Sequence, residues 1–85
     1  MTNKHHENSL IAAFAAHCNN TKVILEHYNF GVYALYFEDA GAETITRDDL
    51  YDTVDEAKEF CREDYGMLAI DWEEIRDHTP IMVTS

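Results

Sequence analysis

The six residues from Val32 to Phe37 are apolar throughout, and they follow a second β-prone run, TKVILEHY, across the short break Asn29-Phe30-Gly31. A strand alternates its side chains between two faces, so Val32, Ala34 and Tyr36 point one way and Tyr33, Leu35 and Phe37 the other. Both faces need cover, which places this strand in the middle of a sheet. β-Branched and aromatic residues on either side of an Asn/Gly break predict an antiparallel pair over 22–28 and 32–38, turning tightly at Asn29 to Gly31. Asp39-Ala40-Gly41 supplies turn chemistry again, and AETIT predicts a shorter third strand over 42–46.

The best-specified helix spans about 54–65. Thr53 followed three residues later by Glu56 forms a capping box, Asp55 adds charge that the positive helix end favours, and Gly66 stands where a C-terminal cap belongs. Val54, Ala57, Phe60, Cys61 and Tyr65 make one apolar stripe, with Phe60 expected at its centre; Glu59, Arg62 and Glu63 lie on the opposite side. A short N-terminal helix is expected over about 10–18, because Ser9 is a good N-cap and Leu10, Ile11, Phe14 and Cys18 recur at helical spacing among alanines. Asn19 and Asn20 suit its end, since Asn tolerates the left-handed conformation. Beyond Gly66, MLAI reads as a strand or a buried connection, Asp71 as the cap of a helical turn in WEEIRD, and IMVT as an edge strand over 80–84 led by Pro80.

The fold class that follows is α+β: a three- or four-stranded, mainly antiparallel sheet, the long helix packed on it, and the short N-terminal helix. With 85 residues there is one core, so residues 9–85 form a single domain behind a flexible tail, 1–8. The second apolar face of the central strand then requires either helix 10–18 or a second copy of the chain, and a homodimer is expected.

Charge narrows the function. Seventeen acids face six basic residues, a net charge of −11, and all of that excess lies in residues 38–85. Such a surface repels phosphate backbones and anionic lipid, so neither direct nucleic-acid binding nor membrane binding is expected; it attracts basic proteins. The first residues are polar and lack the apolar stretch of a signal peptide, and the two cysteines form no CxxC pattern, so a reducing, cytoplasmic location is expected.

No motif supplies catalysis. His17 and Cys18 are neighbours that project about 100° apart on a helix, Cys61 lies on an apolar stripe, and no glycine-rich phosphate loop or serine elbow occurs. His5 and His6 have no third ligand in reach, and the acids near the helix start do not follow the calcium-loop spacing, so no metal and no cofactor is expected. The expected function is therefore a non-catalytic interaction module, of adaptor, inhibitor or immunity type, that meets a basic partner protein. Its acidic face would comprise Asp48, Asp49, Asp52, Asp55, Glu56, Glu59 and Glu63. Mimicry of a nucleic acid by such carboxylates is a special case. The alternative is a small-molecule-binding domain or small enzyme with a pocket between sheet and helix or at a dimer interface, where His27, Tyr33, Tyr36 and Trp72 would serve.

Overall fold

The computed structural model describes residues 10–39 and 44–81. In chain order the elements are β1 (Leu10–Cys18), β2 (Thr21–Tyr28), β3 (Gly31–Phe37), β4 (Arg47–Tyr51), α1 (Val54–Tyr65), a 3-10 turn (Ala69–Asp71) and β5 (Glu73–Glu74). The strands form one antiparallel sheet in the order β4-β3-β2-β1-β5. A four-strand meander is thus followed by a helix, and the chain then returns to the far edge beside β1. The α+β class stands, with five strands rather than three or four.

The central hairpin forms as its composition dictates. β2 and β3 pair from Lys22↔Phe37 to Tyr28↔Gly31 around the two-residue turn Asn29-Phe30. Both faces of β3 are buried, as its apolar run requires. Gly31 opens β3 at φ 149°, and a Cβ there would meet the Tyr51 carbonyl oxygen at 2.8 Å, so the hairpin and β4 approach closely only because this residue has no side chain.

The helix begins and ends where its caps place it. Thr53 Oγ1 accepts from the Glu56 N–H at 3.1 Å, while the Glu56 carboxylate reaches one residue further back and accepts from the Asp52 N–H at 3.0 Å. Gly66 closes the helix in the left-handed region, at φ 77°. Ala57 and Cys61 form the centre of the inward stripe and are fully buried, packed on Ala16, Val23, Leu25, Val32, Ala34 and Tyr36. Phe60, expected at that centre, is only partly buried and lies to one side, its ring 5.7 Å from that of Tyr51. Small residues at the contact let the helix sit close to the sheet.

Four expectations of secondary structure are corrected. Residues 10–18 form a strand, not a helix. Alanine's helix preference is worth only tenths of a kcal/mol per residue, and ladder pairing with β2 from Leu10↔Tyr28 to Cys18↔Thr21, with burial of Ala13 and Ala16, outweighs it. The Asn pair serves a hairpin: Asn19 takes the left-handed conformation, φ 57°, in a two-residue turn. Ile11 is the extra residue of a bulge and points to solvent. Next, the strand after β3 is Arg47–Tyr51 rather than 42–46; Thr46, just before it, donates its N–H to the Tyr36 carbonyl at 2.8 Å, while 42 and 43 lie outside the described residues. Finally, Trp72 to Asp77 form no helical turn. Asp71 instead accepts the Leu68 N–H at 2.8 Å, and the edge strand is Glu73–Glu74. Pro80 and Ile81 are not in a strand, and 82–84 lie outside the described residues, as do the tail 1–8 and Ser9.

The second face of β3 has its own cover. Ile24, Leu35 and Phe37 form a smaller cluster on which Ala15, Tyr33, Ile45 and Ile75 pack. The chain leaving β5 runs back over this face, and a helix 10–18 is not what covers it.

Candidate functional site: an interaction surface beside the helix

Two constellations stand out from the fold, one buried and one exposed. The buried one is built around Glu26, which has no exposed surface. Its place in β2 puts it on the face away from α1, between Ile24 and Tyr28 and opposite Ala13 and Tyr33. Both oxygens accept hydrogen bonds: Oε1 from the Tyr28 hydroxyl at 2.8 Å, Oε2 from the Ile81 N–H at 2.8 Å and from His78 Nε2 at 2.6 Å. A buried carboxylate is tolerable only when so paired. Burial and the Glu26 carboxylate together raise the pKa of Tyr28, so its hydroxyl stays a donor. The arrangement fastens the segment after β5 to the sheet, and Ile75 adds a backbone bond to the Ala13 carbonyl at 2.8 Å.

The exposed constellation is an open-sided groove of about 290 Å³ between α1 and the turn that follows it. Asp55, Lys58, Glu59 and Arg62 contribute from the helix, and Met67 and Trp72 from the chain beyond Gly66. Met67 is buried, and the Lys58 ammonium lies 4.8 Å from the Phe14 ring centre and 5.8 Å from that of Trp72, which directs this cation toward the protein's own rings. Arg62 is likewise engaged, with Glu59 and Glu63. Its guanidinium, bonded to Glu59, holds that carboxyl below its ordinary range. Leu68 and Ile70, which flank the groove in sequence, are 56% and 85% exposed.

Of the expected acidic face, Asp55, Glu56, Glu59 and Glu63 lie exposed on α1 and Asp52 on its approach, so these five are brought together. Asp48 and Asp49 are on β4 and separate: Asp48 pairs with Leu35 on one face, Asp49 with Ala34 on the other, where its carboxylate lies 3.5 Å from Arg47 Nε. The guanidinium of Arg47 stacks on Tyr36 at 4.2 Å to the ring centre. The four aromatic and histidine candidates do not meet. Trp72 lines the groove; Tyr36 is fully buried under the helix with its hydroxyl 3.4 Å from that of Tyr51; His27 is half-buried on the helix side; Tyr33 lies on the other face, edge-on to Phe30 and Tyr28.

Both cysteines are free, Cys18 half-buried and Cys61 buried, and burial pushes the Cys61 thiol up to about 11. Among the described residues no group of three or more His, Cys, Asp or Glu side chains is placed to hold a metal ion, and no helix is long and apolar enough to cross a membrane.

The residues that sequence reasoning missed are Glu26, His78, Leu68 and Ile70. Glu26 carried a signal, since an acid in the apolar row Ile24, Glu26, Tyr28 needs a partner; its partner 52 positions away did not. Compared with known proteins, the chain matches no family model, no curated protein and no solved structure.

Proposed function

We propose that this protein is a non-catalytic interaction module that binds a basic partner protein, as an adaptor, inhibitor or immunity-type protein would. The observation that carries the reading is the gathering of Asp52, Asp55, Glu56, Glu59 and Glu63 on the solvent side of α1, where Asp55 and Glu59 share a groove with Met67, Ala69 and Trp72. Charge of one sign steers a partner of the other, and apolar side chains beside it give the complex lasting contact. Residues 44–81 carry twelve acids against four basic residues, so the same surface disfavours nucleic acid and anionic membrane. The free thiols suit action in the cytoplasm. Capture of partners at low and at high salt tests the reading: the complex should weaken steeply as salt rises. A salt-insensitive self-association as the sole complex would overturn it.

We also propose that the protein self-associates, through the end of the central hairpin. Phe30 and Leu50 are exposed there beside Tyr33, Leu50 being the cross-strand partner of Tyr33. The outer edge of β4 is less suited, because Asp48 and Asp49 would meet like charges on a second copy. Small-molecule binding is the second reading, favoured by the groove, whose volume of about 290 Å³ lies at the low end of ligand sites.

A further inference from the structure

We propose that the outer edge of β4 takes up an extended segment of a basic partner as an added strand of the sheet, and that this segment carries a large apolar side chain flanked at alternate positions by lysine or arginine. This rests on the interaction reading above and adds the place, the backbone geometry and the side-chain pattern of the contact.

β4 ends the strand order, and among the described residues no strand pairs with its outer side. An edge strand leaves alternate backbone N–H and C=O groups without sheet partners, and an extended peptide adds to a sheet on that template. The opposite edge offers less, because β5 already covers the middle of β1 and the Ile75 N–H takes the Ala13 carbonyl.

The β4 edge presents an apolar contact on each face. Away from α1, Asp48 and Leu50 point the same way, as the cross-strand partners of Leu35 and Tyr33, and both are exposed, Leu50 by 54%. Asp52, also exposed, follows at the same spacing. On the helix side Phe60 leans over β4, its ring centre 5.7 Å from that of Tyr51 and 5.6 Å from the Arg47 guanidinium carbon, and it is only partly buried. An added strand would cover Leu50 with one face and Phe60 with the other.

Charge selects the occupant. Arg47 is matched within the protein, stacked on Tyr36 and 3.5 Å from Asp49, whereas Asp48 has no ion pair among the described residues. Glu56 and Asp64, one helical turn to either side of Phe60, are exposed as well. The cations of α1 are engaged elsewhere, Lys58 toward Phe14 and Trp72 and Arg62 with Glu59 and Glu63. A second copy added antiparallel would set acid against acid at Asp48 and Asp49, so these side chains guard the edge against self-pairing and leave it open to a cationic strand. Cations opposite Asp48 and Asp52, with an apolar side chain between them opposite Leu50, complement the row.

Labelled peptides centred on Lys-Thr-Leu-Thr-Lys, which reads alike in either strand direction, are the probes. Binding is followed by anisotropy at a protein concentration where the chain is monomeric, because Leu50 also belongs to the self-association surface. Two further versions of the peptide carry N-methyl groups on alternate amides, one version for each set. In an added strand one set bonds to β4 and the other faces away, so one N-methylated peptide should lose about tenfold or more in affinity while the other binds like the parent. Hydrogen exchange at the β4 amides should slow when the parent binds. Asp48→Lys should weaken the parent peptide by about tenfold, and Glu73→Lys, the same charge change on an exposed side chain at the far edge, by much less. If both N-methylated peptides bind like the parent and β4 exchange is unchanged, the edge is not the site although the acidic reading stands. If the β4 amides become protected as the concentration of the protein alone rises, a second copy fills the edge instead. If no peptide binds at low salt, the acidic reading itself fails, and strand addition with it.

Discussion

The Glu26 carboxylate and the His78 imidazole meet at 2.6 Å across 52 positions of sequence, on the sheet face that α1 leaves uncovered. The pairing answers two demands at once. It partners an acid that the strand's alternation carries inward, and it holds the segment beyond β5 over Ile24 and Leu35. Tyr28 and the Ile81 N–H complete the arrangement.

Removing one member of a buried hydrogen-bonded pair leaves the other desolvated and unmatched. Glu26→Ala should therefore destabilise the protein by about 3 to 5 kcal/mol, whereas Tyr28→Phe, which deletes one hydroxyl, should cost about 1 to 2 kcal/mol. His78→Ala should also speed hydrogen exchange at the Ile75 amide, which bonds to Ala13, before exchange rises in β2 and β3. Denaturant titration and exchange measurements check these; equal exchange throughout would show that His78 does not fasten the segment.

Alkaline pH should destabilise the fold. Burial raises the Cys61 thiol from 9.0 to about 11, and burial with the Glu38 carboxylate raises Tyr65 from 10.0 to about 12. Above pH 9 the unfolded chain releases protons that the folded chain keeps. Stability is therefore whole below that pH and falls as pH rises toward 12, on the order of 2 kcal/mol of it through Cys61. Melting curves should drop across this window, and Cys61→Ala should flatten the part between 9 and 11. For the same reason a thiol reagent should modify Cys18 in the folded protein and Cys61 only on unfolding.

Close approach at the helix contact makes added volume costlier than lost volume at its margin. Ala57→Leu should destabilise by about 1 to 3 kcal/mol or more through overpacking, while Phe60→Leu, at the partly buried edge, should cost under about 1.5 kcal/mol. Thermal melts of the two variants decide it, and the reverse order would place Phe60 at the centre.

Gly66 offers a test of backbone conformation alone. A Cβ there meets nothing within 4 Å, yet its φ is 77°. Gly66→Ala should thus cost about 1 kcal/mol and Gly66→Asn less, since Asn accepts the left-handed region more readily. Equal stability of all three would mean that the cap does not depend on this conformation.

Sedimentation velocity tests self-association. Tyr33→Ser with Leu50→Ser should lower the dimer fraction, and substitutions at Glu59 or Glu63 should not. The opposite pattern would assign the contact to the acidic side.

Local chemistry made α1 and the central hairpin legible, because a capping box, a C-terminal glycine and a two-residue turn each act within a few residues. Residues 10–18 differ from the helix their spacing predicts because leucine, phenylalanine and alanine fit a helix stripe and a buried strand equally; pairing with β2 decides between them, and periodicity within the segment does not contain it. The Asn19-Asn20 pair between two β-capable runs was the local clue. The acids of α1 were legible as a surface from the helix period alone. Residue type alone groups His27, Tyr33, Tyr36 and Trp72, whereas strand register places His27 and Tyr36 on the helix side and Tyr33 on the other face, with Trp72 in the groove. Leu68 and Ile70 gave no signal, since an exposed isoleucine is indistinguishable from a buried one until the turn that carries it is known.

The brevity of β5 has a mechanical consequence. It grips β1 through Phe14↔Glu74 and Ala15↔Glu73, and the chain beyond is tied down mainly at Ile75, His78 and Ile81. A load applied after Ile81 would meet these ties one after another, peeling them in series, whereas the long ladders of β1 to β3 would share force along their length and yield together. The molecule is therefore compliant at its C-terminal side and stiff through its meander, and tension on that end would strip the cover from the second face of the sheet while the helix and hairpin still held.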